Sequence, residues 1–134
     1  MNKSECIEVI ARAIIVHQNK ILLCQVRGES YFFLPGGHVE FGESGEETLR
    51  REAKEEFGGS LQSAKFLGIV EHQYGKKNKK RHEVNLVYRA KLRGASVKSI
   101  EDHIVFAWKD IKELNRAKVL PEELKIKLSV WLKK

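Results

Sequence analysis

The sequence predicts an α/β fold, a mixed β-sheet covered by helices, in one domain over residues 1–134. Three observations predict it. Runs rich in Ile, Val and Leu share the chain with two helical patterns, in the order strands, helix, strands, helix. A length of 134 residues fits one domain with one core. A content of 42% hydrophobic and 32% charged residues matches an ordinary globular protein that buries a core and stays in water.

The elements follow in order. "IEVIARAIIVHQNKILLCQVRG" reads as two strands broken by a turn at His17-Gln18-Asn19. "YFFLPGG" reads as a third short strand stopped by Pro-Gly-Gly. Ser44 followed three residues later by Glu47 is a capping-box signature, and Gly58 with Gly59 supplies the stop, so a helix is expected over 44–57. "AKFLGIVEHQY" is a further strand and "KKNKKRH" a basic loop. "EVNLVYRAKL" alternates, with Val84, Leu86, Tyr88 and Ala90 on one side and Asn85, Val87 and Arg89 on the other. "IVFAW" is another strand and "KDIKEL" a short helical turn. Pro121 opens the last helix, whose apolar stripe is Leu124, Leu128 and Trp131 or Leu132.

Composition narrows the function classes. The longest apolar run is Ala13 to Val16, far short of the roughly 18 residues of a membrane span. The N-terminal stretch has no clean apolar region, so no signal peptide is expected. Cys6 and Cys24 make neither a disulfide framework nor a zinc site, and both are expected as small buried hydrophobes in a reducing cytoplasm. The net charge of +7, with five cations in Lys76–Arg81, favours anionic partners.

The predicted first helix is unusual in its acids. Glu46 faces Arg50, Glu47 faces Arg51, and Arg51 faces Glu55, each four apart. Glu52 and Glu56 face each other and have no cation at three or four positions on either side. Both flank the apolar stripe of Leu49, Ala53 and Phe57. Like charges at the edge of a buried face are costly, and a divalent cation relieves that cost. Magnesium takes oxygen ligands of this type. Just upstream, Gly36, Gly37 and Gly42 let backbone approach a ligand closely.

This stretch resembles the Nudix hydrolase superfamily, whose box is G-x5-E-x7-R-E-U-x-E-E-x-G-U with U apolar. Gly37, Glu43, Arg51, Glu52, Ala53, Glu55, Glu56 and Gly58 fall in place, and Gly59 departs from the final apolar position. The resemblance implies a Nudix-type α/β/α sandwich. It implies that Glu52, Glu55, Glu56 and the Gly36 carbonyl hold magnesium or manganese. It implies a brace between Glu43 and Arg51, with Gly37 and Gly58 completing the box. Glu55 or Glu52 would take the proton from water. A late loop supplies Glu101 or Asp102 as a further acid. The implied reaction is cleavage of a phosphoanhydride bond in a nucleoside diphosphate linked to another moiety, such as a dinucleoside polyphosphate, nucleoside triphosphate or nucleotide sugar.

The substrate is less legible. The resemblance associates ADP-ribose cleavage with a proline some 15 residues past the box, and no proline lies between Pro35 and Pro121. It associates dinucleoside polyphosphates with a tyrosine near that place, and Tyr74 is close. It associates guanine reading with an amide near the last helix, where Val119 and Leu120 stand instead. Arg27, Phe33 and Tyr74 are the expected substrate contacts. Two competing readings are a catalytically silent nucleotide sensor, disfavoured by the intact box, and a module binding RNA ends through the basic loop, which lacks interleaved aromatics. A nucleotide partner is expected, a membrane is not, nucleic acid is not favoured, and a homodimer is left open.

Overall fold

The computed structural model describes residues 5–94, 97–100 and 102–133. Its centre is a six-stranded mixed sheet. Strands β1 (Ile7–His17) and β2 (Lys20–Val26) form a hairpin, with Gln18 and Asn19 turning at positive φ. Strand β3 (Gly36–His38) pairs with the first half of β1. Helix α1 (Gly45–Phe57) follows, then β4 (Leu61–Tyr74) and β5 (Arg81–Leu92), which pair antiparallel. β5 runs parallel to β1, and β6 (Ile104–Asp110) pairs antiparallel with β2. A 3₁₀ turn at Ile111–Arg116 leads to α2 (Glu122–Trp131).

Two apolar layers sandwich the sheet. On β1, Ala11, Ala13 and Ile15 face one way and pack with Leu49, Ala53 and Phe57 of α1. Ile14 faces the other way and packs with Val87 of β5 and Leu124, Leu128 and Trp131 of α2. The period of two in strands therefore serves both faces at once. The same alternation on β5 puts Val87 under α2 and Tyr88 and Ala90 under α1. The predicted stripe of α2 is borne out, with Pro121 at its N-cap.

Two expectations are corrected. "YFFLPGG" is not a strand up to its glycines: Phe32 and Phe33 make only isolated bridges, to Val119 and Cys24, and the true strand starts at Gly36. Pro35 has no N–H to donate. Gly36, at φ 149°, runs so close to β1 that a Cβ there would collide with the Ala11 carbonyl. Only glycine can begin this pairing. Cys6 is exposed, whereas Cys24 is buried as expected. Among the described residues, no helix is long and apolar enough to cross a membrane.

Candidate active site

Ser44 starts α1 as predicted. Its Oγ accepts from the Glu47 N–H at 3.1 Å, and Glu47 Oε1 accepts from the Ser44 N–H at 3.0 Å. This commits the Glu47 carboxylate to the cap, so the expected Glu47–Arg51 pair does not form. The Glu46–Arg50 and Arg51–Glu55 pairs do form, each at 3.2 Å.

Arg51 is the hub of the acidic helix. Its Nε donates to Glu43 Oε2 at 2.7 Å and its Nη2 to Glu43 Oε1 at 3.0 Å, a two-pronged pairing that ties the loop to the helix. Glu43 Oε1 also accepts from the Glu40 N–H and the Thr48 hydroxyl, at 3.1 and 2.9 Å. Arg51, then the Glu40 amide, hold the Glu43 carboxyl down at about 2. The Glu43 hydrogen bond in turn raises Arg51 above its ordinary range, with Glu52 adding to it. Arg51 Nη1 reaches Glu52 Oε1 at 2.9 Å. The expectation that Glu52 lacks a cation is thereby corrected: the long arginine stem reaches sideways to its immediate neighbour as well as one turn along.

Glu52 is nearly covered, with 14% of its side chain exposed, and Glu55 is 57% exposed. The loop lies directly against Glu52: a Cβ on Gly37 would collide with its carboxylate. At the C-terminal end of α1, the Glu56 carbonyl accepts from the Ile100 N–H at 2.9 Å, and Gly58 closes the helix in the left-handed conformation. The late loop is thus fastened to the acidic helix. Asp102 is exposed in that loop, and its carbonyl accepts from Arg27 Nε at 2.8 Å. Glu101 lies outside the described residues.

The expected ligands, the Glu52, Glu55 and Glu56 carboxylates and the Gly36 carbonyl, are all oxygen donors. That chemistry suits magnesium or manganese and not a soft ion. Among the described residues, no three acids, histidines or cysteines are grouped closely enough to hold an ion as they stand. Arg51 keeps two of the acids, Glu52 and Glu55, for itself. Gathering the acids requires Glu55 to leave Arg51, a small cost for a pair this exposed.

An open cleft of about 520 Å³ lies at the end of the α2 face of the sheet. Of the three residues expected to contact substrate, Phe33 and Tyr74 line this cleft, whereas Arg27 does not and instead fastens the end of β2 to the late loop. Arg12, Glu83 and His72 also line the cleft and were not anticipated. A signal existed for Arg12: it shares a strand face with Ile10 and Ile14, where an arginine has no bland reason to be. Its Nε donates to Asn85 Oδ1 at 3.2 Å and its Nη1 to the Leu34 carbonyl at 3.0 Å. Asn85 is fully buried and donates to the Val70 carbonyl at 3.2 Å. Burial lowers Arg12 from its ordinary range, opposed first by Glu83 and also by Glu56. The acidic helix and the cleft therefore share one electrostatic neighbourhood.

Comparison with known proteins places this arrangement. The family model for the NUDIX domain matches residues 8–130. This chain belongs to the NUDIX family. It is 33% identical over 97 residues to the ADP-ribose pyrophosphatase of Methanocaldococcus jannaschii. That match takes in 70% of this chain but only 56% of the relative, so the chain spans little more than half the relative's length. The MutT NUDIX hydrolase from Burkholderia pseudomallei superposes with a TM-score of 0.77 at 26% identity, covering 92% of this chain and 98% of that one. The mMutator MutT protein from Bacillus halodurans gives a TM-score of 0.81 at 22% identity, over 95% and 83% of the two chains, a likeness of fold. The expected sandwich of mixed sheet and helices is borne out.

Proposed function

We propose that this NUDIX chain is a pyrophosphohydrolase dependent on magnesium or manganese, acting on a nucleoside diphosphate linked to a further group. One observation carries the reading: acids on α1, braced through Arg51, stand against a Gly-Gly loop beside an aromatic-lined cleft. The relative named for ADP-ribose cleavage supports the bond class.

Glu52, Glu55, Glu56 and the Gly36 carbonyl would hold the cation. When bound, it neutralises the diphosphate and polarises the phosphorus–oxygen bond. The residues of the chain do the rest. The Glu43–Arg51 brace fixes the Gly36–Gly37 loop on α1, so loop backbone and Glu52 stay in register. Glu55, the exposed acid, is free to turn toward a water and take its proton. Glu52, nearly covered, is the alternative base. Asp102 would approach from the late loop that α1 anchors. Phe33 and Tyr74 would stack on the nucleoside, and the lysines that follow Tyr74 would draw in its phosphates.

A substrate panel with magnesium tests the proposal: ADP-ribose, dinucleoside polyphosphates, nucleoside triphosphates and sugar nucleotides, with products identified. Hydrolysis of at least one at a phosphoanhydride, abolished by chelation, is the expected result. Binding without turnover across the whole panel would overturn it in favour of a nucleotide sensor.

A further inference from the structure

The cleft holds two polar side chains that the proposed hydrolysis does not use. Glu83 stands on β5 opposite His72 of β4 and Glu8 of β1, on the same sheet face as Asn85 and Val87. Tyr74 donates its hydroxyl to Glu83 Oε2 at 3.3 Å. Among the described residues, no hydrogen bond reaches Glu83 Oε1 and none leaves Arg12 Nη2. Arg12 cannot swing away, because Asn85 and the Leu34 carbonyl hold two of its nitrogens. Its guanidinium also lies 5.8 Å from the Phe33 ring centre. The His72 and Tyr74 rings stack at 4.9 Å, 17° from parallel, giving a flat wall on the β4 side. The cleft is thus a slot for a planar ring, with a fixed donor and a carboxylate acceptor on its lining.

Hydrogen-bonding inventory then selects the ring. A carboxylate is acceptor-only and matches two neighbouring N–H groups, while a guanidinium is donor-only. Guanine offers N1–H and N2–H₂ side by side, with O6 and N7 as acceptors. Adenine presents an acceptor, N1, where guanine has a donor. Cytosine and uracil lack the paired donors. We propose that Glu83 and Arg12 make this cleft a guanine reader, Glu83 accepting from N1–H and N2–H₂ and Arg12 donating to O6. This rests on the cleft being the nucleoside site of the proposed hydrolase. It also revises the expectation drawn from the missing amide before Pro121, since the reading pair comes from β1 and β5 instead.

Binding of nucleoside monophosphates tests it apart from hydrolysis, because these ligands carry no phosphoanhydride. Titrations of the full chain with GMP, IMP, AMP and XMP in chelator, followed by NMR, give four dissociation constants. A bidentate pair discriminates by roughly 5- to 150-fold. GMP should bind at least tenfold tighter than AMP. IMP, which lacks only the N2 amine, should fall between them. XMP, with an oxygen facing Glu83, should bind no better than AMP. Glu83→Gln, near-isosteric, should remove most of the GMP preference, weakening GMP and, because the amide can donate to adenine N1, tightening AMP. Equal GMP and AMP affinities, no binding of any of the four, or a preference unchanged in Glu83→Gln would each overturn the assignment. GMP preference without turnover of any substrate would instead uphold the reader and remove the hydrolase.

Discussion

Arg51 and Arg12 do similar work in two regions built in opposite ways. Arg51 sits on a helix among acids no more than eleven residues away in sequence: Glu40, Glu43, Glu52 and Glu55. Arg12 sits mid-strand and is held by Asn85 and Leu34, 73 and 22 residues distant. In the Arg51 cluster Glu43 and Glu52 are nearly covered, and only the outer acids, Glu40 and Glu55, are well exposed and can exchange their bonds at little cost. The Arg12 cluster ends in a fully buried amide, where an unpaired group costs about 1–3 kcal/mol. The difference suits the proposed tasks: Glu55, which must turn toward a cation, is loosely held, and Arg12, which must read a ring, is fixed.

The largest expected effect breaks the first region. Glu56→Gln should lower turnover by orders of magnitude at saturating magnesium and leave the fold intact. Removing its repulsion with Glu52 should shift stability by no more than about 0.5 kcal/mol. Steady-state kinetics beside thermal melts check this, and turnover within threefold of the parent would sink the role given to the acids.

Breaking the second region should show the reverse balance. Asn85→Leu strands the Val70 carbonyl and Arg12 Nε and should cost about 1–3 kcal/mol in denaturant unfolding. At saturating substrate kcat should change little, while KM rises as Arg12 loses its anchor. A loss of kcat with KM unchanged would mean that the two regions are not separable as described.

Acid titration sharpens the comparison further. Glu43 is held down at about 2, chiefly by Arg51. A depressed carboxylate contributes stability above its unfolded value near 4.3, and loses it as pH falls toward 2. The melting difference between the parent and Glu43→Gln should therefore be constant from neutral pH to about 4.5 and close progressively below it. A difference that closes already near pH 6 would point to a histidine and not to the Glu43–Arg51 brace.

The smallest effect concerns the basic hairpin tip, whose lysines begin two residues after Tyr74. Changing Lys76, Lys77, Lys79 and Lys80 together to Ser should raise KM a few-fold and flatten the salt dependence of kcat/KM, with kcat nearly constant. Equal salt dependence in variant and parent would leave these lysines to solubility alone. Arg81 is excluded from the set because Glu8 already holds it, at 2.6 Å.

How much was legible follows from how each region is built. The capping box, the Gly58 stop and the stripe of α2 were readable from residues within a few turns of one another, whereas the Glu43–Arg51 brace was implied by the family resemblance. Helical spacing misjudged Glu47 and Glu52 because it counts only partners three and four apart. In the structure the cap claims Glu47, and Arg51 bends to its next-door neighbour. The start of β3 was missed because what fixes it is the approach of Gly36 to Ala11, a contact across two strands.

By itself, then, the sequence determined the acidic helix, its loop and the family they mark, because a helix fixes the spacing of its own side chains. The cleft was decided only by tertiary structure. Arg12, Glu83 and His72 stand on three strands, and their meeting depends on the parallel register of β1 on β5 and on the bulged pairing of β4 with β5. A strand's sequence says which residues share a face. It does not say which row of the neighbouring strand lies beside them, because register is set by packing over the whole sheet.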